Sequence, residues 1–85
     1  MRVWFSTHLR AYTGGAEVEV DAPTVAALVE ELDRRYPGLK FRIVDEQDQI
    51  REHIAMFRNA EQVKSLGEPL VPSDRFRIMG ALSGG

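Results

Sequence analysis

Alternating apolar and polar positions predict the strands of this chain. Residues 2–7 and 16–20 alternate with the period of two that separates the two faces of a β-sheet. Between them, Thr13-Gly14-Gly15 favours a turn, because paired glycines tolerate positive φ. Two strands joined by a glycine-rich turn predict an antiparallel hairpin. Residues 53–58 and 75–79 are predicted to form two further strands.

One main helix is predicted over residues 25–36. The hydroxyl of Thr24 can cap its first turn, and Pro37-Gly38 ends it because proline cannot continue a helix. One apolar stripe recurs at helical spacing: Val25, Leu28, Val29, Leu32 and Tyr36. On the polar face, two ion pairs are expected at a spacing of four residues, Glu30 with Arg34 and Glu31 with Arg35.

Residues 39–52 show no regular pattern, because acidic residues interrupt the apolar ones. A loop with a short helical turn is expected there. Its apolar side chains are expected to be buried: Phe41, Ile43, Val44 and Ile50. Residues 59–61 predict a turn into a short strand at 62–63, and residues 72–74 predict a turn before the last strand.

The predicted order β-β-α-β-β-β indicates an α+β domain with the main helix packed on one face of a mixed sheet. Eight strand side chains are expected to point toward that helix: Val3, Phe5, Val18, Val20, Ile54, Met56, Phe76 and Ile78. Because side chains alternate between faces, a slip of one residue in any strand would move its whole set to the other face.

Composition and charge exclude several classes of function. A net charge of −2 gives no electrostatic reason to expect direct binding of nucleic acid. The absence of cysteine excludes disulfides, thiolate zinc sites and a cysteine nucleophile. No apolar run reaches the roughly 20 residues that span a bilayer, so a cytoplasmic protein without a membrane segment is expected. His8 and His53 lack the spacing of metal ligands, and no metal site is expected.

The ending of the chain is the feature that points to chemistry. Gly84 and Gly85 follow a last predicted strand and a run of small residues. The chain resembles the MoaD/ThiS family of sulfur carriers, relatives of ubiquitin with a β-grasp fold. The resemblance rests on the opening strand and on three segments: Leu9-Arg10-Ala11-Tyr12-Thr13-Gly14-Gly15, Thr24-Val25 and Ala81-Leu82-Ser83-Gly84-Gly85. It implies a β-grasp domain at residues 1–80 and a flexible reactive tail at residues 81–85.

The resemblance also implies which atom reacts. A ubiquitin-activating-type partner would adenylate the carboxylate of Gly85 with ATP, and a persulfide sulfur would displace AMP to leave a thiocarboxylate. The backbone of Gly84 and Gly85 could thread a narrow channel to the nucleotide, since glycine has no Cβ. The rest of the tail would be formed by Ser83, Leu82 and Ala81. The chain would bind no cofactor and would not be an enzyme. Its partners would be the adenylating enzyme, a sulfurtransferase or desulfurase, and a sulfur-acceptor synthase.

Three functions remain open at this point. The first is a sulfur carrier, which would serve molybdopterin synthesis or the sulfuration of thiazole, cysteine, a siderophore or tRNA. The second is a protein modifier, in which activated Gly85 acylates a lysine of a target protein. The third is a β-grasp interaction module whose ending is incidental. The acceptor is chosen by the surface and the partner, and a fold alone does not identify it.

A partner-binding face is expected on the sheet. In β-grasp proteins the last strand lies between the first and the third, so outward side chains of these strands would be neighbours. They are expected to form an apolar patch flanked by two arginines, a composition typical of protein interfaces: Trp4, Phe57, Arg75, Arg77 and Met79. The alternative is that residues 9–12 cover Trp4, whose ring then serves the fold.

Overall fold

Five strands form one mixed sheet in the computed structural model, which describes residues 1–80. In chain order the strands are β1 (Arg2–Phe5), β2 (Glu17–Glu19), β3 (Ile54–Arg58), β4 (Glu61–Gln62) and β5 (Arg75–Gly80). They lie side by side in the order β2-β1-β5-β3-β4. The β1–β5 pair is parallel and the other three pairs are antiparallel. The last strand therefore lies between the first and the third, and the α+β, β-grasp architecture is confirmed.

The connection from β1 to β2 is helical rather than a simple loop. A 3-10 turn, Thr7–Leu9, leads directly into a one-turn helix, α1 (Arg10–Thr13). Gly14 ends α1 with a φ of 73°, and its N–H donates to the carbonyl of Arg10. Leu9 is buried beneath this segment, so β1 ends at Phe5 and the strand predicted over residues 2–7 is shorter than expected.

The main helix, α2 (Val25–Arg35), begins as predicted. The Thr24 hydroxyl accepts a hydrogen bond of 3.1 Å from the N–H of Ala27. The stripe on its inner face is buried at Val25, Leu28, Val29 and Leu32. Tyr36 meets the ring of Phe5 edge-on, with 6.3 Å between the ring centroids. This contact joins the end of α2 to the first strand.

One of the two predicted ion pairs on α2 is wrong. Glu31 binds Arg35 as expected, and it binds Arg34 as well. These two guanidinium groups lower the pKa of Glu31, with the hydrogen bond from Arg34 as the larger cause. Glu30 pairs instead with Lys40, because the next helix brings that lysine alongside α2. The hydrogen bond to Glu30 raises the pKa of Lys40.

The segment at residues 39–52 contains one short helix, α3 (Leu39–Ile43), as the expected helical turn. Leu39 and Ile43 lie four residues apart on the buried side of α3. Phe41 lies on the other side and is 62% exposed, so its predicted burial is wrong. The guanidinium of Arg51 covers its ring at 4.6 Å from the centroid. Val44 is buried and Ile50 packs against the core, as expected.

The predicted strand registers are confirmed. Six of the eight side chains expected to face the helix are buried: Val3, Phe5, Val20, Met56, Phe76 and Ile78. Val18 and Ile54, the other two, are half-buried and pack against the same core. Because side chains alternate along a strand, the intervening residues point to the opposite face of the sheet. These residues include the ones predicted to bind partners.

Candidate partner-binding face and tail root

The structure brings all five predicted partner residues onto the outer face of the sheet. Arg77 is paired directly with Trp4 of β1 on one side and with Phe57 of β3 on the other. Arg75 and Met79 lie two residues before and after it on β5, so they point the same way. We call these five residues, Trp4, Phe57, Arg75, Arg77 and Met79, the outer face.

The outer face is not the continuous apolar patch that was expected. Arg77 lies between the two aromatic residues rather than at their rim, and its guanidinium covers the ring of Phe57 at 5.0 Å from the centroid. Arg10 of α1 covers the ring of Trp4 in the same way, at 5.4 Å. The expected alternative, cover of Trp4 by residues 9–12, thus holds in part. Trp4 and Phe57 are both half-buried.

The arginines of this face differ in their partners. Arg2, on the same side of β1, donates to Glu17 at 2.8 Å and lies 3.7 Å from Glu19. Arg75 and Arg77 are exposed and have no ion pair within residues 1–80. A shallow depression between these three arginines is also lined by Trp4, by Met79 and by Glu17, whose carboxylate Arg2 binds. The centre of the face is therefore positively charged.

The last described residue, Gly80, is held to the sheet by a side chain. Its N–H donates to the hydroxyl of Ser6 at 2.8 Å, and the N–H of Ser6 donates to the carbonyl of Ile78 at 3.1 Å. β1 ends at Phe5, so no further strand carbonyl of β1 accepts from Gly80. The hydroxyl of Ser6 is the acceptor instead. A Cβ at Gly80 would lie 3.5 Å from Ile54 and 3.6 Å from Leu9. The sheet thus fixes the chain up to the point where the tail begins.

Sequence reasoning assigned no role to Ser6. Its only signal is its position one residue after β1, where a serine hydroxyl can replace a backbone acceptor. The predicted tail residues Ala81, Leu82, Ser83 and Gly84, and the predicted reactive Gly85, lie outside the described residues.

A second feature missed by the sequence reasoning is the network around Asp74. Its buried carboxylate accepts from Arg58 at 2.7 Å, from Asn59 at 3.0 Å and from the N–H of Val71 at 2.8 Å. Asn59 in turn accepts from the N–H of Arg75 at 2.9 Å. The hydrogen bond from Arg58, followed by that from Val71, lowers the pKa of Asp74 to about 2. This network fixes the start of β5 and the backbone of Arg75 on the outer face.

Replacing Asp74 with asparagine should lower the stability at neutral pH. It should also make the stability depend less on pH in the acid range. In the folded protein the pKa of Asp74 is about 2, below its ordinary 3.8, so the unfolded chain binds more protons between those values. The stabilisation is therefore complete above the unfolded pKa and is lost as the pH falls toward the folded one. Urea unfolding midpoints between about pH 7 and about pH 2 measure both effects.

Glu52→Gln is the matched control, because Glu52 is exposed and has no hydrogen bond within the described part of the chain. It removes one carboxylate and should leave the loss of stability at acid pH unchanged. An Asp74→Asn protein that loses stability at acid pH to the same extent as the parent would show that the network does not stabilise the fold.

The described residues form neither a metal-binding cluster nor a membrane-spanning helix. Within residues 1–80, no cluster of three histidine, aspartate or glutamate side chains could hold a metal ion. His8 and His53 are both exposed and lie in separate segments. None of the helices described here is long and apolar enough to cross a membrane.

Comparison with known proteins relates this geometry to a family. The family model of the ThiS family matches residues 3–85. The CysO chain of the Amycolatopsis orientalis BexX/CysO complex is 30% identical, with a TM-score of 0.88 over 99% of this chain and 98% of that one. SAMP1 from Haloferax volcanii is 27% identical, with a TM-score of 0.84 over 100% of this chain and 98% of that one.

A more distant structure shares the fold alone. Urm1 from Sulfolobus solfataricus is 16% identical, with a TM-score of 0.72 over 95% of this chain and 100% of that one. No curated protein sequence matches the chain. The family model covers nearly every residue, and the sheet order, the helix and the described registers fit the same fold. The chain belongs to the ThiS family of small sulfur-carrier and ubiquitin-like proteins.

Proposed function

We propose that this chain is a sulfur carrier that bears its sulfur on the carboxylate of Gly85. The single observation that carries the proposal is the ThiS family match, which extends to residue 85 and includes Gly84-Gly85. The complex of a similar CysO chain with BexX supports a role in partnership with another protein. Such a carrier would donate its sulfur in the synthesis of molybdopterin or of another sulfur-containing metabolite.

The free carboxylate of Gly85 is a poor electrophile, so it has to be activated before it can accept sulfur. The Gly85 carboxylate attacks the α-phosphate of ATP in the active site of an adenylating partner, and pyrophosphate leaves. A persulfide of a sulfurtransferase or desulfurase then displaces AMP, and a second thiol cleaves the resulting acyl disulfide to release the thiocarboxylate. Because this sequence contains no cysteine, both thiols belong to partners. ATP is bound by the partner, and this chain holds no cofactor.

The chain's own residues present the reactive group. Gly84 and Gly85 have no Cβ, so their backbone can enter a channel too narrow for side chains. Enclosure there keeps water from the acyl adenylate. The root of the tail is fixed by the hydrogen bond from Gly80 to Ser6, which leaves five residues to span the distance to the nucleotide. Fully extended, five residues reach about 17 Å.

The outer face is the proposed docking surface for these partners. Its centre is β5, the strand that leads to the tail, so a partner bound there would receive the tail directly. The adenylating enzyme and the sulfur-acceptor synthase would use this face in turn, because each has to receive the same five residues.

A second candidate function is conjugation to lysine. The 27% identical SAMP1 is a small archaeal modifier protein by name, and its TM-score of 0.84 shows the same fold. An adenylated Gly85 could equally acylate an amine. The choice between sulfur and amine would then be made by the partner that receives the activated tail.

Mass spectrometry of the intact chain tests the two functions against each other. After expression in its native host, or incubation with an extract that mobilises sulfur, replacement of one oxygen by sulfur is expected. Adducts linked through Gly85 to lysine would favour the modifier. A chain that shows neither form would be an interaction module, and the proposed sulfur chemistry would be wrong.

A further inference from the structure

We propose that the outer face recognises an acidic surface on the adenylating partner, with carboxylates aligned along β5. This inference rests on the proposed function for the identity of the partner, and it adds the chemistry by which that partner is recognised. Arginines cover the aromatic rings of this face that an apolar partner would need to reach.

Two aromatic rings on this face are already in contact with cations. Arg10 lies over Trp4 and Arg77 lies over Phe57, at 5.4 Å and 5.0 Å from the ring centroids. A partner that packs on this face must therefore contact guanidinium groups first. Burying a guanidinium without an opposing charge is costly, and a carboxylate that binds it in two places offsets that cost.

Within residues 1–80, no carboxylate binds the guanidinium groups of Arg75 and Arg77. Arg75 and Arg77 form no ion pair within residues 1–80, whereas Arg2 on the same face binds Glu17. Arg10 donates its Nε to the carbonyl of Phe5 and has no carboxylate partner in the described part of the chain. Arg10, Arg75 and Arg77 thus carry three guanidinium groups without a carboxylate partner in the described part of the chain, and two of these residues, Arg75 and Arg77, are exposed.

The rest of the molecule has the opposite charge. The whole chain carries thirteen acidic and eleven basic residues, a net charge of −2. Four acidic side chains on α2 and in the segment after α3 have no ion pair within residues 1–80: Asp33, Asp45, Glu46 and Asp48. An acidic partner surface would attract the outer face and repel this side, so the charge distribution would orient the encounter before contact.

The order of residues along β5 sets the layout of the partner surface. Strand residues rise about 3.3 Å each, so Arg77 lies about 10 Å and Arg75 about 16 Å from Gly80. Met79, which is 36% exposed, lies between them and the tail. The partner should present an apolar pocket beside the mouth of its tail channel and carboxylates about 10 to 16 Å beyond it.

The test uses the double variant Arg75→Glu/Arg77→Glu and the adenylating enzyme encoded in the same genome. The variant should raise the KM for the carrier in ATP–pyrophosphate exchange at least about tenfold and leave kcat unchanged. Its Kd for the enzyme should rise in parallel. For the parent chain, KM should rise steeply between about 0.05 M and about 0.5 M salt, and the variant should lose most of this dependence.

Matched controls distinguish the effect of charge on the outer face from the effects of net charge and of a damaged fold. Arg42→Glu reverses one charge on α3, where Arg42 lies over Tyr12 and away from the outer face, so it is compared with the single variant Arg77→Glu. Arg42→Glu should leave KM and Kd near the parent values, whereas Arg77→Glu should raise both. Arg75→Lys/Arg77→Lys keeps the charge without the planar group and should restore most of the affinity. Thermal unfolding of each variant shows that the fold is intact.

Each outcome decides a different question. Exchange by the parent that responds neither to salt nor to charge reversal overturns the acidic-surface inference and leaves the proposed function standing. Binding that depends on the arginines, without any exchange, supports the inference and overturns adenylation of Gly85. A parent chain that neither binds nor exchanges overturns both. A dimer of this chain that the charge reversal dissociates would make a second copy the occupant, and would overturn the inference.

Discussion

Removal of Gly85 should reduce pyrophosphate exchange with the adenylating partner by at least about 100-fold. The shortened chain still ends in a carboxylate, but that group lies one residue, about 3.4 Å, short of the nucleotide. A misplacement of about 1 Å at a reacting atom already costs about 100-fold. Gly84→Leu should have a comparable effect for another reason, because its side chain would not fit a channel shaped for glycine.

Stability should not change in either variant. The hydrophobic core packs around the sheet and α2 within residues 1–80, so the free energy of unfolding should stay within about 0.5 kcal/mol of the parent. A semisynthetic chain with the Gly85 carboxylate converted to an amide is the sharpest control, since it changes one group and no length. A chain shortened by one residue that still exchanged pyrophosphate at the parent rate would end the proposed mechanism.

Much of the fold could be predicted because one periodicity fixes each strand. Val3, Phe5, Phe76 and Ile78 are buried as expected, and the same alternation placed Trp4 and Arg77 outward. Tertiary packing decided what the pattern could not. Phe41 is apolar, yet the four-residue spacing of Leu39 and Ile43 turns those two inward and leaves it exposed.

The sequence predicted which five residues form the outer face, but it did not predict that arginines would cover the aromatic rings. Alternation gives the face of each side chain, but it says nothing about a long arginine that folds back over a neighbouring ring. Arg10, whose guanidinium lies over Trp4, is the first residue of α1, a helix that the sequence pattern did not predict. Ser6 and Asp74 were missed because their partners, Gly80 and Arg58, are 74 and 16 residues away in the chain.

Trp4→Ala and Phe57→Ala should each weaken binding to the adenylating partner by at least about tenfold, which is ~1.4 kcal/mol. Each substitution removes aromatic area from the centre of the outer face. It also releases the guanidinium that the ring holds in place, Arg10 in one case and Arg77 in the other. Both rings are only half-buried and lie outside the core, so the loss of stability should be about 1 kcal/mol or less, the size of a cross-strand pair.

Phe41→Ala is the matched control for these two variants. Phe41 is also an aromatic residue covered by an arginine, with Arg51 at 4.6 Å from its centroid, but it lies on α3 outside the outer face. Its removal should leave affinity for the partner unchanged. Calorimetric titration and thermal unfolding of the three variants measure both quantities on one sample. If Trp4→Ala lowers the melting temperature sharply and keeps the parent affinity, then Trp4 serves the fold and the docking role of the outer face is wrong.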